Sequence, residues 1–183
     1  MAEHVMLIGM MGSGKTTTGR LLARRLGRVF HDSDAEVIAK TGRTVAELFA
    51  ARGEAAYRAE EKAVLALALT SAASVIAVAG GAVLDPESRR RIRDSGAVIW
   101  LRAAPATLAA RVAPHGRAGG HRPLLATDPA ATLKLLEARR RAIYGALADA
   151  IIEVDWLQPA VVADRAEHLA RRLLAGQLLA EAP

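Results

Sequence analysis

The sequence predicts an α/β fold in which a parallel sheet is flanked by helices. Short β-type runs alternate with longer helical patterns along the whole chain, the signature of that class. The first run leads straight into a glycine-rich loop that opens a helix, and no repeat or low-complexity tract interrupts the alternation. At 183 residues the chain has the size of one domain.

Each element has a local reason. Val5-Met6-Leu7-Ile8 reads as a buried first strand, and the helix after it carries Leu21, Leu22 and Leu26 before Gly27 closes it. Val29-Phe30-His31 reads as a short second strand. Ser33 with Glu36, then Thr44 with Glu47, have capping-box spacing, so two short helices follow, stopped at Gly42 and Gly53. Glu54 to Leu69 is Ala/Leu-rich and helical. Ser74 to Ala79 is the third strand, ending at Gly80-Gly81. Asp85-Pro86 caps and opens the next helix, which Gly96 ends. Ala97 to Leu101 is the fourth strand, and Pro105 to Val112 is helical. Asp128-Pro129 starts a helix that runs to about Ala148. Ile151 to Val154 is the fifth strand, and Pro159 opens an amphipathic helix through Leu174. The stretch from about 113 to 126 is rich in Gly, Pro, His and Arg and lacks periodicity, so it reads as either a functional or a disordered loop, and its two arginines make a mobile lid over an anion the sharper reading.

Composition excludes several classes of function. Apolar residues make up 52% of the chain, enough for a real core. At 3% aromatic, the chain offers few stacking platforms for single-stranded nucleic acid. The absence of cysteine removes disulfides, thiolate metal sites and thiol nucleophiles. No apolar run reaches the about 18 residues of a membrane span, and the N-terminus does not read as a secretory signal, so a cytoplasmic location without membrane contact is expected. The net charge is +6 and nearly all of the cations are arginine. That suits a phosphorylated or carboxylated small molecule as well as nucleic acid, and no nucleic-acid-binding signature accompanies it. The runs at 89–91 and 139–141 read as solvated helix faces.

The strongest motif is Gly9-Met10-Met11-Gly12-Ser13-Gly14-Lys15-Thr16, a P-loop placed between a strand and a helix. Its glycines let backbone N–H groups turn toward phosphate oxygens, and the helix N-terminus adds positive potential. Lys15 has the reach for the β- and γ-phosphates, and the Thr16 hydroxyl can coordinate Mg²⁺. A nucleoside triphosphate is therefore expected. Asp32 and Asp34 follow the second strand, where ligand sites of open α/β sheets lie. They can divide metal binding from proton acceptance, although Asp34 also reads as an ordinary first-turn acid of a helix. Arg58 stands one turn into a helix with Glu61 three positions on. It is either an anion clamp oriented by Glu61 or a surface ion pair. Gly80-Gly81 either brings backbone amides to a ligand or simply turns the chain. The histidines form no metal constellation, and His4 and His168 look peripheral. Trp156 can support a nucleotide base, but packing is the simpler reading.

Taken in order, the P-loop, Phe30-His31-Asp32-Ser33-Asp34, Gly42-Arg43-Thr44-Val45 with Glu47 and Phe49, Gly53-Glu54 through Arg58, Gly80-Gly81-Ala82-Val83, Arg122-Pro123-Leu124-Leu125 and Arg140 through Tyr144 resemble the shikimate kinases. These are P-loop kinases of the nucleoside-monophosphate-kinase-like group, and the resemblance runs from Val5 to about Leu174. It implies a three-layer fold with strand order 2-3-1-4-5, a single domain over 1–183 with the lid at about 113–126, and a substrate-binding helical region at about 33–61. It further implies transfer of the ATP γ-phosphoryl group to the 3-hydroxyl of shikimate, with Mg²⁺, by a monomer. On that resemblance Gly12, Ser13, Gly14, Lys15, Thr16 and Thr17 hold the nucleotide, Arg111 lies against adenine, and Thr16 and Asp32 hold the metal. Asp34 bonds the acceptor hydroxyl, and Lys15 and Arg122 stabilise the transferring phosphoryl group. Arg58 and Arg140 clamp the carboxylate, helped by Gly80 and Gly81, and Phe49 and Tyr57 line the pocket. The chain departs from the family pattern at Ala77, at Ala79, in a longer stretch from Arg111 to Arg122, and at Ala142-Ile143 in place of a proline before the last motif. Arg117 is therefore a rival to Arg122, and Arg139 and Arg141 are rivals to Arg140. Other small-molecule P-loop kinases, such as a gluconate kinase, and a non-catalytic nucleotide-binding protein share the loop without needing the arginine pair.

Overall fold

A computed structural model of the chain describes residues 3–112 and 128–176. The elements run β1 (His4–Ile8), α1 (Lys15–Leu26), β2 (Val29–Asp32), α2 (Ser33–Thr41), α3 (Val45–Ala68) and β3 (Ser74–Ala77). A 3-10 turn over Ala82–Leu84 precedes α4 (Pro86–Arg93), β4 (Gly96–Arg102), α5 (Pro105–Val112), α6 (Pro129–Leu147), β5 (Ala150–Glu153) and α7 (Pro159–Leu174). The five strands form one parallel sheet in the order β2-β3-β1-β4-β5. Helices lie against it: α1 packs on α7 and β3, and α4 and α6 pack on β4.

Covering both faces explains why the inner strands read as continuous apolar runs. Val5, Met6, Leu7 and Ile8 are fully buried in β1, as are Ile99 and Leu101 in β4. A second, smaller apolar cluster of Val37, Leu48, Tyr57 and Val64, with Val45 and Phe49 against it, lies between α2 and α3. Within α3 the backbone breaks at Gly53 (φ 79°, ψ 173°), a left-handed geometry that glycine adopts cheaply, so two helical pieces meet there at an angle. Among the described residues no helix is long and apolar enough to cross a membrane.

Two local expectations are corrected. Ser33 does not cap α2. The carboxylate of Asp32, one position earlier, accepts the N–H groups of Asp34 and Ala35 (3.1 and 3.2 Å), and Ser33 is buried as the first helical residue. Glu36 turns to His31 instead (2.6 Å), while the Thr44–Glu47 capping box does form. An acid outranks a neighbouring serine here because a charged acceptor also answers the helix dipole.

His4 is the second correction: it is fully buried, not peripheral, with Nδ1 2.9 Å from Ser74 Oγ. Burial holds its imidazole below the ordinary value of 6.5. The unfolded chain therefore takes up a proton near pH 6.5 that the folded chain refuses until lower pH. Stability is expected to fall as the pH drops below about 6.5, with a slope of up to about 1.4 kcal/mol per pH unit. Thermal melts across that window check it: His4→Gln should flatten the slope, and an unchanged slope assigns the titration to other groups.

Candidate active site

The glycine loop at the end of β1 is built to receive anions. Gly12 and Gly14 have φ of 81° and 91°, and a Cβ on Gly12 would strike Leu108 and Val112. No side chain caps α1 at Gly14, so its first N–H groups open into the loop. Lys15 Nζ donates to the carbonyls of Gly9 and Met10 (2.8 and 3.1 Å), which holds the ammonium group at the loop. Ser13 Oγ is buried with no hydrogen-bond partner among the described residues. Such an orphaned hydroxyl, beside an open helix N-terminus, is what a phosphate oxygen would satisfy.

Asp32 ends β2 beside this loop. Its Oδ2 accepts the Thr16 hydroxyl at 2.6 Å, while Oδ1 caps α2. Two hard oxygen donors in contact next to a phosphate loop suit Mg²⁺, which takes few protein ligands and several waters. Among the described residues no group of three or more His, Asp or Glu gathers as a metal cage. Ala77 stands beside Asp32 in the β2–β3 register and brings no hydroxyl.

The cap formed by Asp32 turns α2 so that Asp34 faces the same cleft as Lys15. That cleft has a volume of about 1650 Å³ and runs from the P-loop past Asp34, Phe49 and Tyr57 to Arg58, Gly80, Gly81 and Arg140. At the Arg58 end of the cleft, Arg58 Nη1 donates to Glu61 Oε2 (2.8 Å), and its Nε and Nη2 reach Glu54 Oε1 (3.3 and 3.1 Å). Glu61 is only 2% exposed. Burial drives its carboxyl above the ordinary 4.5, and the Arg58 charge opposes that shift. The Arg58–Glu61 pair is thus buried on the glutamate's side, unlike an ordinary surface ion pair. Gly81 is glycine for a steric reason, since a Cβ there would land on the Arg58 guanidinium.

Arg140 is buried at 4% exposure, whereas Arg139 and Arg141 face solvent. The run is therefore not wholly a solvated face, and of the three only Arg140 lines the cleft. Its Nη1 donates to the Gly80 carbonyl (3.1 Å), as does the Tyr144 hydroxyl (2.8 Å). Burial pushes the Tyr144 phenol up to about 12, so it remains a donor. Sequence reasoning gave Tyr144 no role, yet it fixes the carbonyl on which Arg140 rests. The two guanidinium groups thus flank consecutive glycines on one wall.

Elsewhere along the cleft, Arg111 Nη2 donates to the Val154 carbonyl (2.7 Å), and Trp156 lines the same space. Trp156 does not pack. It is 92% exposed and carries the only positive φ of a non-glycine residue among those described, 63°. Arg122, its rival Arg117 and the expected lid at 113–126 lie outside the described residues.

The family model described as shikimate kinase matches residues 11–171. A shikimate kinase of Symbiobacterium thermophilum is 48% identical over 153 residues, covering 83% of this chain and 87% of that protein. The solved structure of shikimate kinase from Acinetobacter baumannii in complex with shikimate superposes with a TM-score of 0.85. It shares 33% identity and covers 97% of this chain and 96% of its own. A gluconokinase structure from Sinorhizobium meliloti reaches a TM-score of 0.60 at 20% identity, with 95% of this chain and 94% of its own covered, a likeness of fold alone.

Proposed function

The chain belongs to the shikimate kinase family, and on that premise we propose how its own residues divide the work. The reaction is transfer of the γ-phosphoryl group of ATP to the 3-hydroxyl of shikimate, giving shikimate 3-phosphate and ADP in aromatic amino acid biosynthesis. Phosphoryl transfer asks the protein for alignment and charge compensation rather than covalent chemistry.

The loop amides of Gly12, Ser13 and Gly14 and the N-terminal N–H groups of α1, with Thr17, hold the triphosphate, and Lys15 compensates charge on the moving phosphoryl group. Thr16 and Asp32 would hold hydrated Mg²⁺, which supplies charge neutralisation at the β- and γ-phosphates. Asp34 orients the acceptor hydroxyl and accepts its proton as the bond to phosphorus forms. Arg58 and Arg140 fork the carboxylate of shikimate. Gly80 and Gly81 keep that wall thin, and Phe49 and Tyr57 close the apolar side within the helical region 33–61. Arg111 and Trp156 flank the base.

One observation carries this assignment: two guanidinium groups, a carboxylate and a phosphate loop border a single cleft. An arginine pair suits an anionic acceptor such as a carboxylate, which a neutral polyol lacks, and the choice among acids is read from the acceptor itself. The test is ADP release from ATP and Mg²⁺ with shikimate, gluconate or a nucleoside monophosphate as acceptor. Turnover should require shikimate. ADP forming no faster with shikimate than without it would sink the assignment.

A further inference from the structure

Tyr57 is held on every side. Its ring lies 5.0 Å from that of Phe49, the Arg58 guanidinium stands 5.2 Å from its centroid, and the residue is 5% exposed. The hydroxyl donates toward Asp34 Oδ1 (3.0 Å) and, as a longer second leg, toward Glu61 Oε1 (3.3 Å). Burial, reinforced by the two carboxylates, pushes the phenol's pKa up, so the donor keeps its proton. Glu61 in turn receives Arg58 at 2.8 Å. A continuous chain of hydrogen bonds therefore joins the arginine that grips the acceptor to the acid that faces its hydroxyl. Asp34 itself is exposed on the first turn of α2, so packing does not fix its carboxylate plane.

We infer that the Tyr57 hydroxyl is a positioning group for Asp34: it fixes Oδ1, leaves Oδ2 for the acceptor hydroxyl, and ties the base to the Arg58–Glu61 clamp. This rests on the proposed role of Asp34. A phenylalanine would fill the same space, so the inference concerns one oxygen atom and not the pocket lining.

The experiment is a double-mutant cycle of Tyr57→Phe and Asp34→Asn, with kcat and both KM values measured for each enzyme and melting temperatures alongside. Tyr57→Phe alone should lower kcat roughly tenfold, because misorientation of a reacting group acts on the chemical step. The KM for shikimate should move less than about twofold, since Arg58 and Glu61 keep their bond. In the Asp34→Asn background the same change should leave kcat nearly unaltered, as expected when one residue acts through the other. An unchanged kcat in the single variant overturns the inference. So does an equal loss in both backgrounds, which would trace the effect to packing while the base assignment stands. A near-normal Asp34→Asn enzyme is a different failure, of the base itself, and removes this inference with it.

Discussion

Asp34→Asn is expected to lower kcat by roughly 10²–10⁴ while leaving ATP affinity unchanged, as for a lost general base. That range corresponds to about 2.7–5.4 kcal/mol of transition-state stabilisation. The substitution isolates the chemistry well. Asparagine keeps an oxygen that can accept the Tyr57 hydroxyl, and the α2 cap belongs to Asp32, so neither the helix nor the pocket loses a partner. Asp34 is exposed, which limits any cost in stability. Initial rates with saturating shikimate, paired with ADP titration of the variant, check the result. A kcat near that of the parent removes Asp34 from the mechanism.

Arg58→Ala should act on the other axis, weakening shikimate binding by about 2–5 kcal/mol, a loss of roughly thirtyfold to several thousandfold. The variant also strands Glu61, which is 2% exposed and would be left without its cation. Removing one partner of a buried pair destabilises more than the pair itself ever contributed. A lower melting temperature is therefore expected together with the higher KM, and the two effects need separating. Glu61→Gln added to Arg58→Ala should recover much of the stability without recovering KM. If the shikimate KM of the single variant matches that of the parent, the carboxylate is held elsewhere.

Much of this was legible before any coordinates, because the relevant signals are local. A buried parallel strand must be apolar on both faces, so Val5 to Ile8 and Ala97 to Leu101 announce themselves, and the phosphate loop is contiguous in sequence. Arg140 was also readable. Leu133, Glu137, Arg140, Tyr144 and Leu147 recur every three or four positions, and all five are buried, whereas Arg139 and Arg141 fall off that stripe. What stayed hidden depends on partners far apart in the chain. His4 is buried because Ser74, seventy residues away, offers a hydroxyl across the sheet. Nothing in the flanking residues announces that pairing. The competition between Asp32 and Ser33 for the end of α2 is decided by where β2 stops. Trp156 shows the opposite failure: hydrophobicity suggested a packed residue, and the left-handed backbone turned the indole outward.

A side chain at 81 would displace the Arg58 guanidinium, the far end of a flexible chain that Glu61 and Glu54 hold in place. A substitution at 81 therefore acts through the arginine it moves, whatever the new side chain itself touches. Retailoring this enzyme for a different acid is therefore best attempted by varying the two positions together.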